Sequence, residues 1–539
     1  DIEVRVLATG VFTGAILSVS PGDGTIKVKT VNLSPMSATI LAAPVNKDQP
    51  AVIDVRMADG TELAHYVSPL EIPDRAPPGP APEANPNPTA EELYLQGIKH
   101  EERIEPGPAR AKYEKVLTID PSNTDALVAL ARLDCQRGKY AAAADFAKKA
   151  TDRDPGKGMA WYYLGLSLME LPADQRQLQP IDAAYRVIAS LDYPSLGRDL
   201  AGRIRMREER YSRAVEEFEQ AVALNPADAR AHQHLIAALN AAGQYAEADL
   251  RAMLRSAKYP LDYVPRAVAS LRDETKMEEC CAYIKHVSGR PDFDALNIAM
   301  FLVDLGLYAD AFKIVNAFYA HPVPNTTGLL YNGDFPDTRE RSGPWYLLAW
   351  LAHKTNNETY ARECLRTGRA KVPHYQFPSL PRFAEVMKYA LSVDPNDASA
   401  HGTYGNLLAY QGDLAGAVAE WEAAAKTEKP YSVPLRNLAM HAWKKENNLP
   451  KASEYFAKAI AAWPTDQPLY RDAATVLIAD NKRPEAITLL ENMTLDHPRR
   501  GDITVLLANS YNDEKRYDDA LTLLSDTKFS NWELNTATW

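Results

Sequence analysis

The pattern of hydrophobic and polar positions changes once along the chain. Up to about residue 72, apolar and β-branched residues alternate with polar ones at a period of two, as in Thr25–Val31. Turn sequences separate these runs, and Ala58-Asp-Gly is typical of a two-residue hairpin. The pattern predicts about six short strands. We therefore expect residues 1–72 to form a small antiparallel β-sandwich.

A proline-rich segment separates this region from the rest of the chain. Seven prolines fall between Pro73 and Pro88, mixed with Ala, Gly, Asn and Glu. Proline donates no backbone hydrogen bond and disfavours helical angles at the residue before it, so neither a helix nor a strand ladder is expected. Residues 73–89 are predicted to be an extended linker.

Beyond the linker, the period of the apolar positions becomes 3.6, and a longer repeat appears above it. Pro121 and Pro155 are 34 residues apart, and so are Tyr211 and Tyr245. Thirty-four residues is the length of the tetratricopeptide repeat (TPR), a pair of antiparallel helices that buries its apolar face only against neighbouring pairs. We expect residues 90–539 to be a TPR-type α-solenoid of about ten repeats. The pattern is clearest near residues 90–155, 195–250, 398–464 and 464–525.

Residue types within the repeats support the same architecture. Small residues recur where the first helix of a pair should come closest to the second, because a larger side chain would force the two helices apart. Aromatic residues should fill the space beside them. The small positions are Gly97, Gly165, Gly202, Ala349, Gly405, Ala439 and Ala508, and the aromatic ones include Trp161, Phe218, Trp421 and Phe456.

Two stretches interrupt the rhythm. One repeat is extended between about Leu171 and Tyr193, and an inserted loop is predicted near residues 320–343. Long loops within a compact array often line a binding face. Tyr331 in the loop and the neighbouring Trp345 and Tyr346 are therefore candidate binding residues for a sugar or a peptide, although Trp345 also falls on a core position of a repeat.

The end of the last recognisable repeat offers a second candidate site. Trp532 and Glu533 place an aromatic ring beside a carboxylate where the helical pattern stops. A tryptophan face can stack on a pyranose while a carboxylate accepts hydrogen bonds from its hydroxyls. The alternative is that Trp532 caps the hydrophobic seam and Glu533 is solvated.

Composition and charge exclude several classes. The chain has 71 acidic and 60 basic residues and a formal net charge of −11, so a nucleic-acid partner is not expected. The sequence contains no apolar run long enough to span a bilayer. A soluble protein is predicted, with the cytoplasm favoured over other compartments.

No catalytic or metal-binding motif is evident in the sequence. The four cysteines lack zinc spacing and are too few for a disulfide framework, so they are expected to fill helix interfaces. His232 and His234 lie two apart on a predicted helix and point to different faces, which argues against a shared metal. We expect neither a metal nor another cofactor, and enzymatic activity stays an open question.

The C-terminal part also resembles a family of large proteins in which a galactose-mutarotase-like domain of unassigned function and a small β-domain precede a TPR solenoid. The segments that carry the resemblance are His374-Tyr-Gln-Phe-Pro-Ser, Asn396-Asp-Ala-Ser-Ala, Tyr404-Gly-Asn-Leu-Leu, Trp421, Arg436-Asn-Leu and Lys528-Phe-Ser-Asn-Trp-Glu. The family continues the last segment with two glycines, whereas Leu534-Asn535 follow here and the chain ends at Trp539. The resemblance implies a carbohydrate-related role and a mutarotase-like domain upstream, so the chain is expected to be the C-terminal half of such a protein.

Three functional hypotheses follow. In the first, the solenoid is a rigid platform against the upstream β-domain of a carbohydrate-related protein that can contact a saccharide. The second makes it a general scaffold that binds a peptide or a protein partner in a concave groove. In the third, the chain is part of a glycoside-active enzyme whose main catalytic domain lies outside it.

Overall fold

The computed structural model describes residues 2–20, 26–43, 50–68, 85, 87–190, 192–288, 291–320, 342–371, 377–495, 498–527 and 529. The described chain is mainly helical, with a small antiparallel β-region at its N-terminus, as predicted. It divides into two compact units, Asp1–Phe335 and Pro336–Trp539, and each unit is described by itself.

The N-terminal region contains six strands in two antiparallel sheets. The strands are β1 (Ile2–Val6), β2 (Phe12–Ser20), β3 (Lys27–Leu33), β4 (Thr39–Ala43), β5 (Ala51–Arg56) and β6 (Glu62–Ser68). One sheet pairs β1 with β4, and the other has the order β3-β2-β5-β6. Alternate residues of β2, among them Leu17 and Val19, are fully buried and share one hydrophobic core with Val4 and Leu41 of the smaller sheet. The alternation in sequence thus places one face of each sheet in a common core.

The first helix begins directly after the proline-rich segment. Thr89 caps it, accepting a hydrogen bond from the backbone N–H of Glu92 at 3.2 Å, while the Glu92 carboxylate accepts one from the N–H of Thr89 at 2.8 Å. This reciprocal capping box satisfies two backbone donors that a helix start leaves open. The helical repeats therefore start at Ala90.

The first unit contains fourteen α-helices within the described residues. They are α1 (Ala90–Glu102), α2 (Pro106–Ile119), α3 (Thr124–Gln136), α4 (Tyr140–Arg153), α5 (Gly158–Glu170), α6 (Pro180–Ala189), α7 (Pro194–Arg207), α8 (Tyr211–Leu224), α9 (Ala229–Ala241), α10 (Tyr245–Lys258), α11 (Tyr263–Ser270), α12 (Glu274–Val287), α13 (Pro291–Asp304) and α14 (Tyr308–Ala320). Successive helices form pairs, and the extended repeat predicted after Leu171 contains a short 3-10 turn, Ala173–Gln175, between α5 and α6.

The second unit contains eleven α-helices within the described residues. They are α15 (Ser342–Lys354), α16 (Glu358–Ala370), α17 (Phe383–Val393), α18 (Ala398–Gln411), α19 (Leu414–Ala425), α20 (Ser432–Lys444), α21 (Leu449–Ala462), α22 (Gln467–Ala479), α23 (Arg483–Glu491), α24 (Gly501–Asp513) and α25 (Tyr517–Ser525). All except α17 belong to consecutive pairs. The loop predicted near residues 320–343 falls mostly outside the described residues.

Packing within the pairs follows the predicted small and aromatic positions. A Cβ atom built on Gly202 would lie 2.5 Å from the ring of Phe218, and one on Gly405 would lie 2.6 Å from the ring of Trp421. Phe218 and Phe456 are fully buried, whereas Trp161 is half-buried and donates its indole N–H to the carbonyl oxygen of Pro155. The helices can approach this closely only because the facing residue is small.

Helix α11 departs from the regular pattern of the first unit. It has 8 residues, whereas α9 has 13 and α13 has 14. The ring of Phe301 in α13 stacks on His234 of α9 with centroids 5.2 Å apart. The backbone carbonyl oxygen of Asp304 accepts a hydrogen bond from Nε of Arg207 in α7 at 2.8 Å. Because α11 ends early, the end of α13 packs directly on α9 and α7. These are the first helices of the pairs that come two and three pairs earlier in the chain.

The β-region is attached to this part of the solenoid. The backbone N–H of Val11 donates a hydrogen bond to the carbonyl oxygen of Lys258, at the end of α10, over 2.6 Å. Gly10 lies against the ring of Tyr259, where a Cβ atom would be 3.3 Å from the ring and 3.1 Å from the same carbonyl oxygen. The turn between β1 and β2 therefore packs on the α10–α11 connection.

Candidate functional site

The first helices of four successive pairs in the second unit carry a continuous series of polar side chains. The close approach of Gly405 to Trp421 fixes α18 against α19, and the next residue, Asn406, lies beside that contact. The Oδ1 atom of Asn406 accepts hydrogen bonds from the Trp421 indole N–H at 3.0 Å and from the amide of Asn437 at 2.7 Å. One amide oxygen thus connects α18, α19 and α20.

The series continues as alternating charges. Arg436 of α20 donates to Asp472 of α22 at 2.8 Å, and Arg471 donates to both Asp472 at 2.8 Å and Asp502 of α24 at 3.0 Å. Arg500 also donates to Asp502, at 3.0 Å. Every bond between α20, α22 and α24 in this series joins residues about one repeat apart. We call this surface the polar ladder; its members are Asn406, Arg436, Asn437, Arg471, Asp472 and Asp502.

The electrostatics of the polar ladder keep it charged. Burial alone would raise the pKa of Asp502, but the hydrogen bonds from Arg500 and Arg471 outweigh that effect and lower it. The two arginine side chains remain accessible, with Arg436 27% and Arg471 37% exposed, whereas Asn406 and Asp472 are buried. Nε of Arg436 is buried and has no hydrogen-bond partner among the described residues. The ladder therefore offers both donors and acceptors to a ligand lying across the helices.

The described part of the chain shows neither a metal-binding cluster nor a reactive thiol. It contains no group of three or more His, Cys, Asp or Glu side chains placed to hold a metal ion. Burial raises the pKa of all four thiols, to about 11 for Cys135 and Cys281 and about 12 for Cys280 and Cys364. Thiols with such pKa values stay protonated at neutral pH and are poor nucleophiles, which agrees with the interface-filling role expected from the sequence.

The candidate binding residues predicted from the sequence are only partly described. Tyr331, Trp532 and Glu533 lie outside the described residues. Trp345 is half-buried on α15. Tyr346 is fully buried, and its hydroxyl donates to the carboxylate of Asp397 with both oxygens 2.8 Å away. The Tyr346 ring is thus part of the core, and a binding role for the five residues stays a prediction.

The sequence analysis did not select the polar ladder as a site. Asn406, Arg436 and Asn437 appeared there only within segments that carry the family resemblance. A partial signal existed, because Arg436 and Arg471 lie 35 residues apart, as do Asn437 and Asp472, whereas Asn406 and Asn437 are 31 apart. That signal does not distinguish side chains facing a neighbouring first helix from side chains facing solvent.

Comparison with known proteins supports the repeat architecture. Residues 106–164 match one family described as tetratricopeptide repeat, and residues 200–260, 384–433 and 471–529 match a second family with the same description. No curated protein sequence matches the chain. The protein therefore contains TPR repeats, and the resemblance to proteins with a galactose-mutarotase-like domain stays a prediction.

Solved structures similar to the chain include other repeat proteins. A tetratricopeptide repeat protein from Parabacteroides merdae is 12% identical, covers 57% of this chain and 99% of its own, and has a TM-score of 0.32. The Cut9-Hcn1 hetero-tetramer of the APC/C is 16% identical. That match covers 81% of this chain and 86% of the other, with a TM-score of 0.27. PilF of Pseudomonas aeruginosa is 16% identical. That match covers 52% of this chain and 90% of the other, with a TM-score of 0.24.

None of the helices in the described residues is both long enough and apolar enough to cross a membrane.

Proposed function

We propose that the protein is an interaction scaffold that binds an extended segment of a protein partner across the polar ladder. The observation that carries this proposal is the row of linked polar side chains on α18, α20, α22 and α24, of which Arg436, Asn437, Arg471 and Asp502 are partly exposed. The matched TPR repeats support it, because repeat solenoids typically present extended binding surfaces formed by equivalent helices.

The chemistry of the ladder defines the kind of segment it would bind. Arginine guanidinium groups have five N–H donors, and only some of those on Arg436 and Arg471 are used within the ladder. Main-chain carbonyl oxygens and acidic side chains are suitable acceptors for the rest. Because the donors recur about once per repeat, an extended chain can meet them in succession. We therefore expect an extended partner segment that includes acidic residues.

Binding to immobilised synthetic peptides tests the proposal. The full chain would be incubated with an array of peptides that vary in acidic content, and the strongest binders would be titrated by fluorescence anisotropy. Asn437→Ala and Arg471→Gln should each weaken binding about tenfold, the effect of losing roughly one hydrogen bond. A photoreactive group in the peptide should crosslink to α20 or α22.

The matched control is Lys458→Ala on α21. Lys458 is 54% exposed and pairs with Glu454 at 2.7 Å on the same helix, away from the ladder. The Lys458→Ala variant should bind peptides with the same affinity as the parent chain. The proposal would be overturned if the parent chain and all three variants bound peptides with the same affinity. Crosslinks confined to the second helices of the pairs would also overturn it.

The carbohydrate-related role is a separate prediction that rests on the family resemblance, as does the alternative of a glycoside-active enzyme. Of the predicted binding residues, Trp345 is the one that the described structure leaves partly exposed. A glycan array probed with the full chain and with Trp345→Ala would test this role. Saccharide binding that is lost in the variant would favour it over the scaffold.

A further inference from the structure

Helix α10 of the first unit presents an apolar face to solvent. Leu250, Met253 and Leu254 are 46%, 60% and 60% exposed, and Ala257 is exposed as well. Residues at positions i, i+3, i+4 and i+7 lie on one side of an α-helix, so these four residues form a continuous row. We call this row the α10 stripe.

The α10 stripe lies on the opposite side of the helix from the residues that pack the solenoid. Those residues are Ala248 and Ala252, which are buried. Isolated exposed leucines are common on protein surfaces, but the stripe brings three large apolar side chains together within five residues. Contiguous exposed apolar patches typically mark interaction sites. The stripe is therefore a candidate contact surface.

Equivalent second helices of the first unit carry polar residues at these places. Helices α4, α8 and α10 all begin with a tyrosine, which gives a common origin for counting along them. The places of Leu250, Met253 and Leu254 are taken by Glu216, Glu219 and Gln220 in α8, and by Asp145, Lys148 and Lys149 in α4. The repeat itself thus does not need apolar residues there. The apolar character of the stripe is a property of α10 alone among these three helices.

Charges at the two ends of the α10 stripe indicate what kind of partner fits it. Near its start, the Asp249 side chain is 43% exposed, although it pairs with Arg272. Near its end, Lys258 is exposed. If two copies of α10 packed antiparallel about an axis between residues 253 and 254, Leu250 would face the partner's Ala257 and Asp249 would face the partner's Lys258. Opposite charges would then meet at both ends, so the stripe is complementary to itself.

We propose that the α10 stripe is the interface of a homodimer in which two copies of α10 pack antiparallel about a two-fold axis. Such a contact buries the same apolar patch on both copies, which removes both patches from water. Standard interfaces use about 20–30 residues a side, more than one helix of 14 residues supplies. We therefore expect a weak dimer, with a dissociation constant on the order of 10 µM. The proposal does not depend on peptide binding at the polar ladder.

Sedimentation equilibrium of the full chain tests the dimer. The parent chain should show a monomer–dimer equilibrium between about 1 and 100 µM. The double variant Met253→Glu with Leu254→Gln gives α10 the residues that α8 carries at the same places, so the fold should tolerate it. It should weaken dimerisation at least about tenfold and leave the melting temperature of the dilute protein unchanged.

Two charge variants test the antiparallel arrangement. Asp249→Lys and Lys258→Asp should each weaken dimerisation, because each places like charges against one another at both ends of the stripe. An equimolar mixture of the two variants should restore it, because every charge then faces an opposite one. Asp249→Lys also loses the exposed pair with Arg272, which contributes little to stability, so both variants should keep the melting temperature of the parent chain within a few degrees.

The matched control is Leu521→Gln on α25, a leucine that is 64% exposed and should dimerise as the parent chain does when it is replaced. A parent chain that stays monomeric at about 100 µM would overturn the proposal and leave the stripe to a different protein or to another segment of this chain. Dimerisation that survives the double variant would assign the contact to another surface. A mixture of the charge variants that dimerises no better than either one alone would exclude the antiparallel pairing.

Discussion

Substitution of Gly405 is the sharpest test of how the helix pairs are packed. A Cβ atom at this position would lie 2.6 Å from Cδ1 and Nε1 of Trp421 and 3.1 Å from the carbonyl oxygen of Ala417. Favourable carbon contacts need about 3.5–4.0 Å, so the Trp421 ring must move by roughly 1 Å. The ring is 6% exposed and its N–H is bonded to Asn406, so it cannot move without losing that bond.

The magnitude follows from two opposing effects. Overpacking costs about 1–3 kcal/mol, whereas replacing glycine by alanine within a helix gains about 1 kcal/mol, so Gly405→Ala should destabilise the second unit by roughly 0–2 kcal/mol. Gly405→Leu adds three more carbon atoms against the same ring and should cost more than Gly405→Ala. Because Asn406 would lose its bond to Trp421, peptide binding at the polar ladder should weaken as well.

Urea unfolding followed by circular dichroism, with amide hydrogen exchange in α18 and α19, measures the effect. Gly107→Ala is the matched control, because a Cβ atom on Gly107 in α2 would meet nothing within 4 Å. It should leave stability unchanged or slightly raised. An unfolding midpoint for Gly405→Leu that equals that of the parent chain would refute the close contact between α18 and α19.

Three further predictions concern other parts of the structure. Tyr346→Phe removes the hydroxyl bonded to the buried carboxylate of Asp397 and should cost about 1–3 kcal/mol in urea unfolding; an unchanged midpoint would contradict the bond. Burial would raise the pKa of Asp199, but the attraction and hydrogen bond from His234, together with the nearby Arg203 and Arg230, outweigh that effect and lower the pKa. The carboxylate therefore stabilises the fold above its unfolded pKa of about 4 and less as the pH falls below it. Asp199→Asn should therefore lose more stability at pH 7 than at pH 3, and equal losses would contradict the assignment. Gly10→Val places a side chain 3.1 Å from a backbone carbonyl oxygen and should speed amide exchange at residue 11, whereas unchanged exchange would show that the β-region is not packed there.

The repeat architecture could be predicted from the sequence because local packing imposes it. Gly202 and Gly405 recur at one place in a period near 34 residues, and the first helix begins at Ala90, where the prolines stop. The same reasoning could not find the contacts of α13 with α7 and α9. They depend on the early end of α11, and they join Arg207 to Asp304 across 97 positions of sequence. No periodic pattern specifies a contact of that kind.

Packing and binding chemistry meet at one position of the repeat. Gly202 is followed by Arg203, and Gly405 is followed by Asn406. Successive residues of an α-helix are about 100° apart, so the residue after the small one lies to the side of the helix contact, where Asn406 meets both Trp421 of the second helix and Asn437 of the next pair. The closeness of the two helices fixes its backbone, and in Asn406 the bond to Trp421 also fixes the side chain. A polar residue at that position is therefore held in place by the packing of the helix pair, which favours a precise binding group. The sequence signal to seek in such arrays is a small core residue followed directly by a polar one, because the first residue fixes the geometry and the second supplies the chemistry.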